Sequence, residues 1–161
     1  MEFRLAAATR SDVPLILRLI RSLAEYEKMA DEAVATEVDL ERALFGSRPA
    51  AEVIIAYAGD EPAGFALYFQ SFSTFLGRPG LYLEDIFVKP EWRQQGLGRM
   101  LLSRLARIAI DRGYGRMEWS VLNWNEMALR VYRTAGAEPM SDWTVYRLTG
   151  SALRDLAARD S

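Results

Sequence analysis

Residues 82–98 run Tyr82-Leu83-Glu84-Asp85-Ile86-Phe87-Val88-Lys89-Pro90-Glu91-Trp92-Arg93-Gln94-Gln95-Gly96-Leu97-Gly98, with Arg99 next. Tyr, Leu, Ile, Phe and Val dominate Tyr82–Val88, which predicts a strand closed by Lys89 and Pro90. Behind it Met100, Leu101, Leu105, Ile108 and Ala109 fall on one helical face and Gly113 suits a C-terminal stop, so a long helix is expected from about Gly96 to Arg112. The junction has the form R-x-x-G-x-G. At a strand-to-helix turn such a sequence can aim backbone N–H groups, and the positive end of the helix, at a pyrophosphate. Arg93 can add a charge-assisted bond. An ordinary glycine-punctuated loop entering a helix has the same appearance.

Working outward, Phe3 to Ala7 reads as a first strand. Ser11 looks like the N-cap of a helix of about four turns, with Pro14 in its first turn and Val13, Ile16, Leu17, Ile20, Leu23 and Ala24 at helical spacing. Thr36 and Asp39 have the form of a capping box for a short helix that Gly46 ends. Glu52 to Ala58 and Gly64 to Phe72 read as antiparallel strands around a turn at Gly59, Asp60, Glu61 and Pro62. Met117 to Leu122 is expected as a strand, Glu126 to Ala135 as a helix stopped by Gly136, Thr144 to Leu148 as a last strand, and Ser151 to Arg159 as a short helix. The order βααβββαβαβ gives an α+β fold, a mixed and mainly antiparallel sheet.

The chain has 161 residues, half of them hydrophobic and 26% charged, the balance of one globular domain spanning residues 1–161. Net charge is −2, so no basic surplus exists to bind nucleic acid. The apolar stretches Leu15–Ile20 and Phe65–Phe69 are far shorter than the ~20 residues of a membrane span. Met1-Glu2-Phe3-Arg4 does not open a secretory signal, and a cytoplasmic location is expected. Absence of Cys excludes disulfides, thiolate metal sites and a cysteine acyl-enzyme, and absence of His removes the commonest base near neutrality. Proton transfer falls to carboxylates, Tyr, Lys28, Lys89, a terminus or water. Soft or imidazole-rich metal sites are excluded, and no metal is expected.

Leu101 stands where a Rossmann fingerprint has a third small residue, and no Gly-Lys-Ser/Thr follows, so the turn fits coenzyme A better than NAD or ATP. It resembles the pyrophosphate loop of the GNAT acetyltransferase superfamily. Tyr82–Val88, the turn, Asn123-Trp124-Asn125-Glu126, Val131-Tyr132-Arg133-Thr134-Ala135-Gly136-Ala137 and Leu17–Glu27 together are similar to the spermidine/spermine (diamine) acetyltransferase subfamily, which includes thialysine acetyltransferases. The similarity covers about residues 3–148. It implies a GNAT-type sheet with helices on both faces, acetyl-coenzyme A as co-substrate, a small cationic amine as acceptor, and a homodimer.

By the same resemblance the backbone of Ile86, Phe87 and Val88 would pair with the pantetheine arm like an added strand. Arg93, Gln94, Gln95, Gly96, Leu97, Gly98 and Arg99 would hold the pyrophosphate, and Asn125, Glu126, Met127 and Ala128 would border the far end of coenzyme A. Tyr132 matches the catalytic tyrosine that protonates the leaving thiolate; a phenol pKa of about 10 lies above that of a thiol. Taken alone, Tyr132 lines up with Ala128 and Ala135 and also reads as a packing residue. Glu84 matches an acceptor-site glutamate that helps the amine lose its proton, directly or through water, with Asp85 in support. As strand neighbours the two carboxylates are expected on opposite faces, and as solvated edge residues they need no function. Tyr26 and Glu27 match positions that line the acceptor site.

Between Glu25 and Glu41 stand Glu25, Glu27, Asp31, Glu32, Glu37, Asp39 and Glu41 against one lysine. Such a run is ordinarily a solvated face, and it can also steer a polycation. The sequence departs from the family pattern at Gln94, where glycine is common, and is only loosely similar over Glu118–Leu122, which leaves the acceptor open. Acetylation of protein N-termini or aminoglycosides, and a non-catalytic acyl-coenzyme A sensor, stand as alternatives to single-displacement transfer to a polyamine, diamine or lysine-like amine.

Overall fold

The computed structural model describes residues 2–160; Met1 and Ser161, the ends of the expected domain, lie outside the described residues. Strand β1 is Phe3–Ala7 and helix α1 is Val13–Tyr26. Ser11 does not cap α1. Instead Thr9 and Asp12 close a capping box around a 3-10 turn at Arg10–Asp12, with the Thr9 amide donating to Asp12 Oδ2 at 2.8 Å, and Asp12 takes the N-cap of α1. Thr36 caps helix α2, Glu37–Phe45, through the Asp39 amide, and the helix stops at Gly46.

Strands β2 (Glu52–Ala58) and β3 (Glu61–Ser73) meet at Gly59-Asp60, where Gly59 takes φ 62°, the left-handed backbone that a tight hairpin requires. The turn is therefore shorter than the sequence implies, and Pro62 falls inside β3. Strand β4 (Arg78–Val88) begins before the Tyr82 start that the sequence implies and takes in Pro79 and Gly80. Helix α3 (Leu97–Asp111), strand β5 (Met117–Trp119), and helices α4 (Glu126–Thr134) and α5 (Gly150–Ala157) complete the order.

The strands form one five-stranded sheet in the order β1-β2-β3-β4-β5, antiparallel except for the parallel pair β4 and β5. Alternating side chains build two cores. On one face Leu17, Leu23, Leu40 and Leu44 of α1 and α2 cover Ile55, Phe65 and Phe87; on the other Leu97, Leu101 and Leu105 of α3 cover Ala66, Leu81 and Leu83. The architecture is the expected α+β one, with helices on both faces. None of the described helices is long and apolar enough to cross a membrane.

Two strand expectations fail. β5 ends at Trp119 rather than Leu122, and Thr144–Leu148 carries no regular structure, with Val145 81% and Tyr146 92% exposed. β-propensity reports fitness for a pleated, half-buried surface. Beyond β5 no further strand lies on the open edge among the described residues, so the run has no ladder to join.

Candidate active site

The site starts from a break in the β3–β4 ladder. Asp85 stands opposite Leu67 and Leu83 opposite Tyr68, so Glu84 is an extra residue with no partner, a β-bulge. The bulge reverses the alternation: Leu81 and Leu83 face the α3 core, whereas beyond it Ile86 and Val88 pack on that core and Phe87 turns to the α1 side. Strand β5 pairs with β4 only at Leu81–Leu83. From Glu84 to Val88 the β4 edge is left open, and the fork it makes with β5 widens into a cleft of about 540 Å³, a size ordinary for small-molecule sites.

The glycine turn closes one end of the cleft. Gln94 adopts φ 63° and Gly96, the N-cap of α3, φ 85°. Left-handed backbone costs a non-glycine residue about 1–2 kcal/mol, a cost that Gln94 carries within the turn. Open space lies where a Cβ on Gly96 or Gly98 would point, and among the described residues no side chain caps the α3 N-terminus. The turn thus presents open space and unsatisfied first-turn N–H groups, the chemistry of an anion cradle. Arg93 does not point away from the protein. Its Nε donates to the Val88 carbonyl at 2.8 Å and its guanidinium lies 4.4 Å from the Tyr26 ring centroid and 5.5 Å from that of Phe87.

Helix α4 forms another wall. Its N-cap Asn125 accepts through Oδ1 from the Ala128 amide and from the Tyr26 hydroxyl, both at 3.2 Å. Tyr132 packs edge-on against Trp119 at 5.1 Å. Burial, and then the neighbouring Glu27 and Tyr26, push the Tyr132 phenol up to about 12. Asp85 is pushed up to about 6, first by burial and then by the Glu84 and Glu27 carboxylates. Glu27 is itself raised by burial. A neutral phenol and a cluster of carboxylates, one of which titrates near neutrality, therefore share one enclosure.

Of the residues singled out from sequence, Tyr26, Glu27, Glu84, Asp85, Ile86, Phe87, Val88, Arg93, Gln94, Gly96, Leu97, Gly98, Arg99, Asn125, Met127, Ala128 and Tyr132 line the cleft; Gln95 and Glu126 do not. Glu84 and Asp85, expected on opposite faces, both reach it because the bulge breaks the alternation. Sequence reading missed Trp92 and Arg130 as wall residues, and it singled out none of Trp119, Ser120 and Val121 within Glu118–Leu122, the segment that borders the acceptor in relatives. For Ser120 and Val121 the available signal was their place directly after β5, at the C-terminal end of a strand beside a fork.

The sequence model described as "Acetyltransferase (GNAT) family" matches residues 18–137. The chain is 39% identical over 163 residues to the thialysine N-epsilon-acetyltransferase of Bos taurus, covering 94% of this chain and 95% of that protein. It is 32% identical to the L-ornithine N5-acetyltransferase of Arabidopsis thaliana, covering 94% of this chain and 86% of that protein. An integron cassette protein structure from the mobile metagenome of V. cholerae superposes with a TM-score of 0.81 at 28% identity, covering 98% of each chain. With the family model matching residues 18–137 of the 161 and relatives aligned almost end to end, the chain belongs to the acetyltransferase (GNAT) family and is an N-acetyltransferase.

Proposed function

We propose that the protein transfers an acetyl group from acetyl-coenzyme A to a primary amine of a small cationic molecule, a polyamine, a diamine or a lysine-like amine, by direct single displacement. The observation that carries this reading is the convergence on one cleft of an open glycine turn, an unpaired strand edge, Tyr132, and three carboxylates, Glu27, Glu84 and Asp85. The turn and the α3 N-terminus fit a pyrophosphate, and the backbone groups that Ile86 and Phe87 leave at the open edge fit the amides of a pantetheine arm, the Val88 carbonyl being held by Arg93. The relatives named for thialysine and ornithine support an amino-acid side-chain amine as acceptor.

An acceptor amine enters protonated, and the carboxylates hold it as a cation. Glu84, at the bulge, receives the proton directly or through water, with Asp85 behind it as the group whose raised pKa suits a base near neutrality. The new C–N bond forms as the C–S bond breaks; the nitrogen, its first proton already passed through Glu84 to water, gives up a second by the same route, and the sulfur gains one from Tyr132, which takes a proton back from water. With its phenol near 12, complete transfer to a thiolate of ordinary basicity, near 8.5, is uphill, so the hydroxyl first stabilises the developing charge on sulfur by a hydrogen bond.

The reading includes a homodimer, supported by the exposed apolar side chains Met140, Trp143, Val145, Tyr146 and Leu148 that follow α4. The deciding experiment is thiol release from acetyl-coenzyme A over a panel of polyamines, diamines, lysine analogues, aminoglycosides and peptide N-termini. The expected result is turnover with the small cations. Turnover confined to aminoglycosides or peptides, or acetyl-coenzyme A binding without turnover on any amine, would overturn it.

A further inference from the structure

Helix α4 carries Tyr132, yet none of its side chains is fully buried. A short helix with so little buried surface is held weakly by packing and depends on the contacts at its ends. At the N-terminal end Asn125 Oδ1 accepts both from the Ala128 amide and from the Tyr26 hydroxyl, at 3.2 Å each. Tyr26 is fixed in turn by the Arg93 guanidinium, stacked 4.4 Å from its ring centroid. Arg93 has its own orientation set by the 2.8 Å bond from Nε to the Val88 carbonyl, so its plane cannot rotate off the ring without breaking a bond to β4. The contacts run unbroken from the residue that opens the glycine turn to the cap of the helix that bears the phenol.

We infer, on the reading of Tyr132 given above, that Arg93 is a positioning residue for the transfer step, acting through Tyr26 and Asn125 to hold α4 and the Tyr132 hydroxyl in register with the glycine turn. Arginine is required by this role. Lysine keeps the charge but has neither a plane to stack nor a fixed Nε to bond Val88. Tyr26, half-buried beside Phe87 and Trp124 at ring separations of 6.3 and 5.8 Å, is the member that converts a stacking contact into a hydrogen bond on α4.

The test measures kcat at saturating acetyl-coenzyme A and amine, together with the acetyl-coenzyme A Kd by calorimetry. The proteins compared are Arg93→Lys, Tyr26→Phe, Tyr132→Phe, and each of the first two combined with Tyr132→Phe. The expected result is a loss of about tenfold in kcat for Arg93→Lys and for Tyr26→Phe, the size of one hydrogen bond's contribution, with Kd changed less than about twofold. Neither substitution should slow the Tyr132→Phe enzyme further, because the group they position is already gone. Tyr26→Phe retains the ring beneath the guanidinium and carries the test alone should Arg93→Lys fail to fold. A weakened Kd with unchanged kcat in Arg93→Lys would make Arg93 a phosphate ligand and overturn the inference. So would an equal fractional loss in the presence and absence of the Tyr132 hydroxyl. Unchanged kcat in Tyr132→Phe alone is a different failure, since it removes Tyr132 from the chemistry and the positioning role with it.

Discussion

At Asp85 burial, with Glu84 and Glu27 close by, pushes the carboxyl up to about 6. The unfolded chain titrates this group near 3.9, so between about pH 4 and 6 the native state binds more protons than the unfolded one, and stability falls as pH rises through that window. Above it the loss is complete, at ~2–3 kcal/mol for a shift of about two units. Asp85→Asn is therefore expected to raise Tm by roughly 5–10 °C at pH 7.5 and to give no gain below about pH 4, which thermal melts across pH would check. The same substitution should remove the inflection near pH 6 from the pH–rate profile and leave the rise that amine deprotonation gives. At the other end of the cleft, Tyr132→Phe should fold normally and turn over about 10²- to 10⁴-fold more slowly. Its phenol, near 12, stays protonated over the working range, so wild-type rates should rise with pH as the amine deprotonates, with no fall from tyrosine ionisation below pH 10.

Among elements, the glycine turn makes the sharpest demand. Gly96 sits at φ 85° with open space where a side chain would go, so Gly96→Val meets no protein clash but forces a β-branched residue into left-handed backbone and fills the cradle. Calorimetry should show acetyl-coenzyme A binding weakened at least about tenfold, the equivalent of one or two lost amide contacts; an unaltered Kd would make the turn structural only. This turn, the Thr36–Asp39 box and the helix stops at Gly46, Gly113 and Gly136 were legible in the sequence because their chemistry is local. The bulge at Glu84 was not, although it leaves a trace in the switch from Leu81 and Leu83 to Ile86 and Val88 on one core. β5 and Thr144–Leu148 were misread because strand formation depends on a neighbour that no local pattern specifies. For Arg93 the sequence supplies a charge beside a glycine turn, whereas the direction of its guanidinium is decided by a carbonyl on β4 and a ring on α1.

At the scale of the molecule the acidic segment divides its labour. Asp39 is engaged in the Thr36 cap and Glu41 pairs with Arg10 at 2.7 Å, leaving Glu27 as the member of that run on the cleft wall, beside Glu84 and Asp85. Exposed pairs are worth only ~0–1 kcal/mol each, so a diamine is expected to exceed propylamine in kcat/KM by no more than about tenfold; equal efficiency would show that the carboxylates do not select. Symmetric pairing of the apolar segment after α4 predicts a species of twice 18.2 kDa by light scattering, against a monomer at micromolar concentration if that surface is left open. The fork between β4 and β5 reaches further than catalysis. A ladder edge that β5 leaves unpaired from Glu84 to Phe87 is a template on which another chain can pair, and whatever fills it as a strand shields it. Acetyl-coenzyme A at a hundred times its Kd would stabilise the fold by about 2.7 kcal/mol while capping that edge against aggregation. On the proposed reading, starvation for the acetyl donor would then shorten the lifetime of the protein, so that its abundance in a cell would follow the supply of that donor.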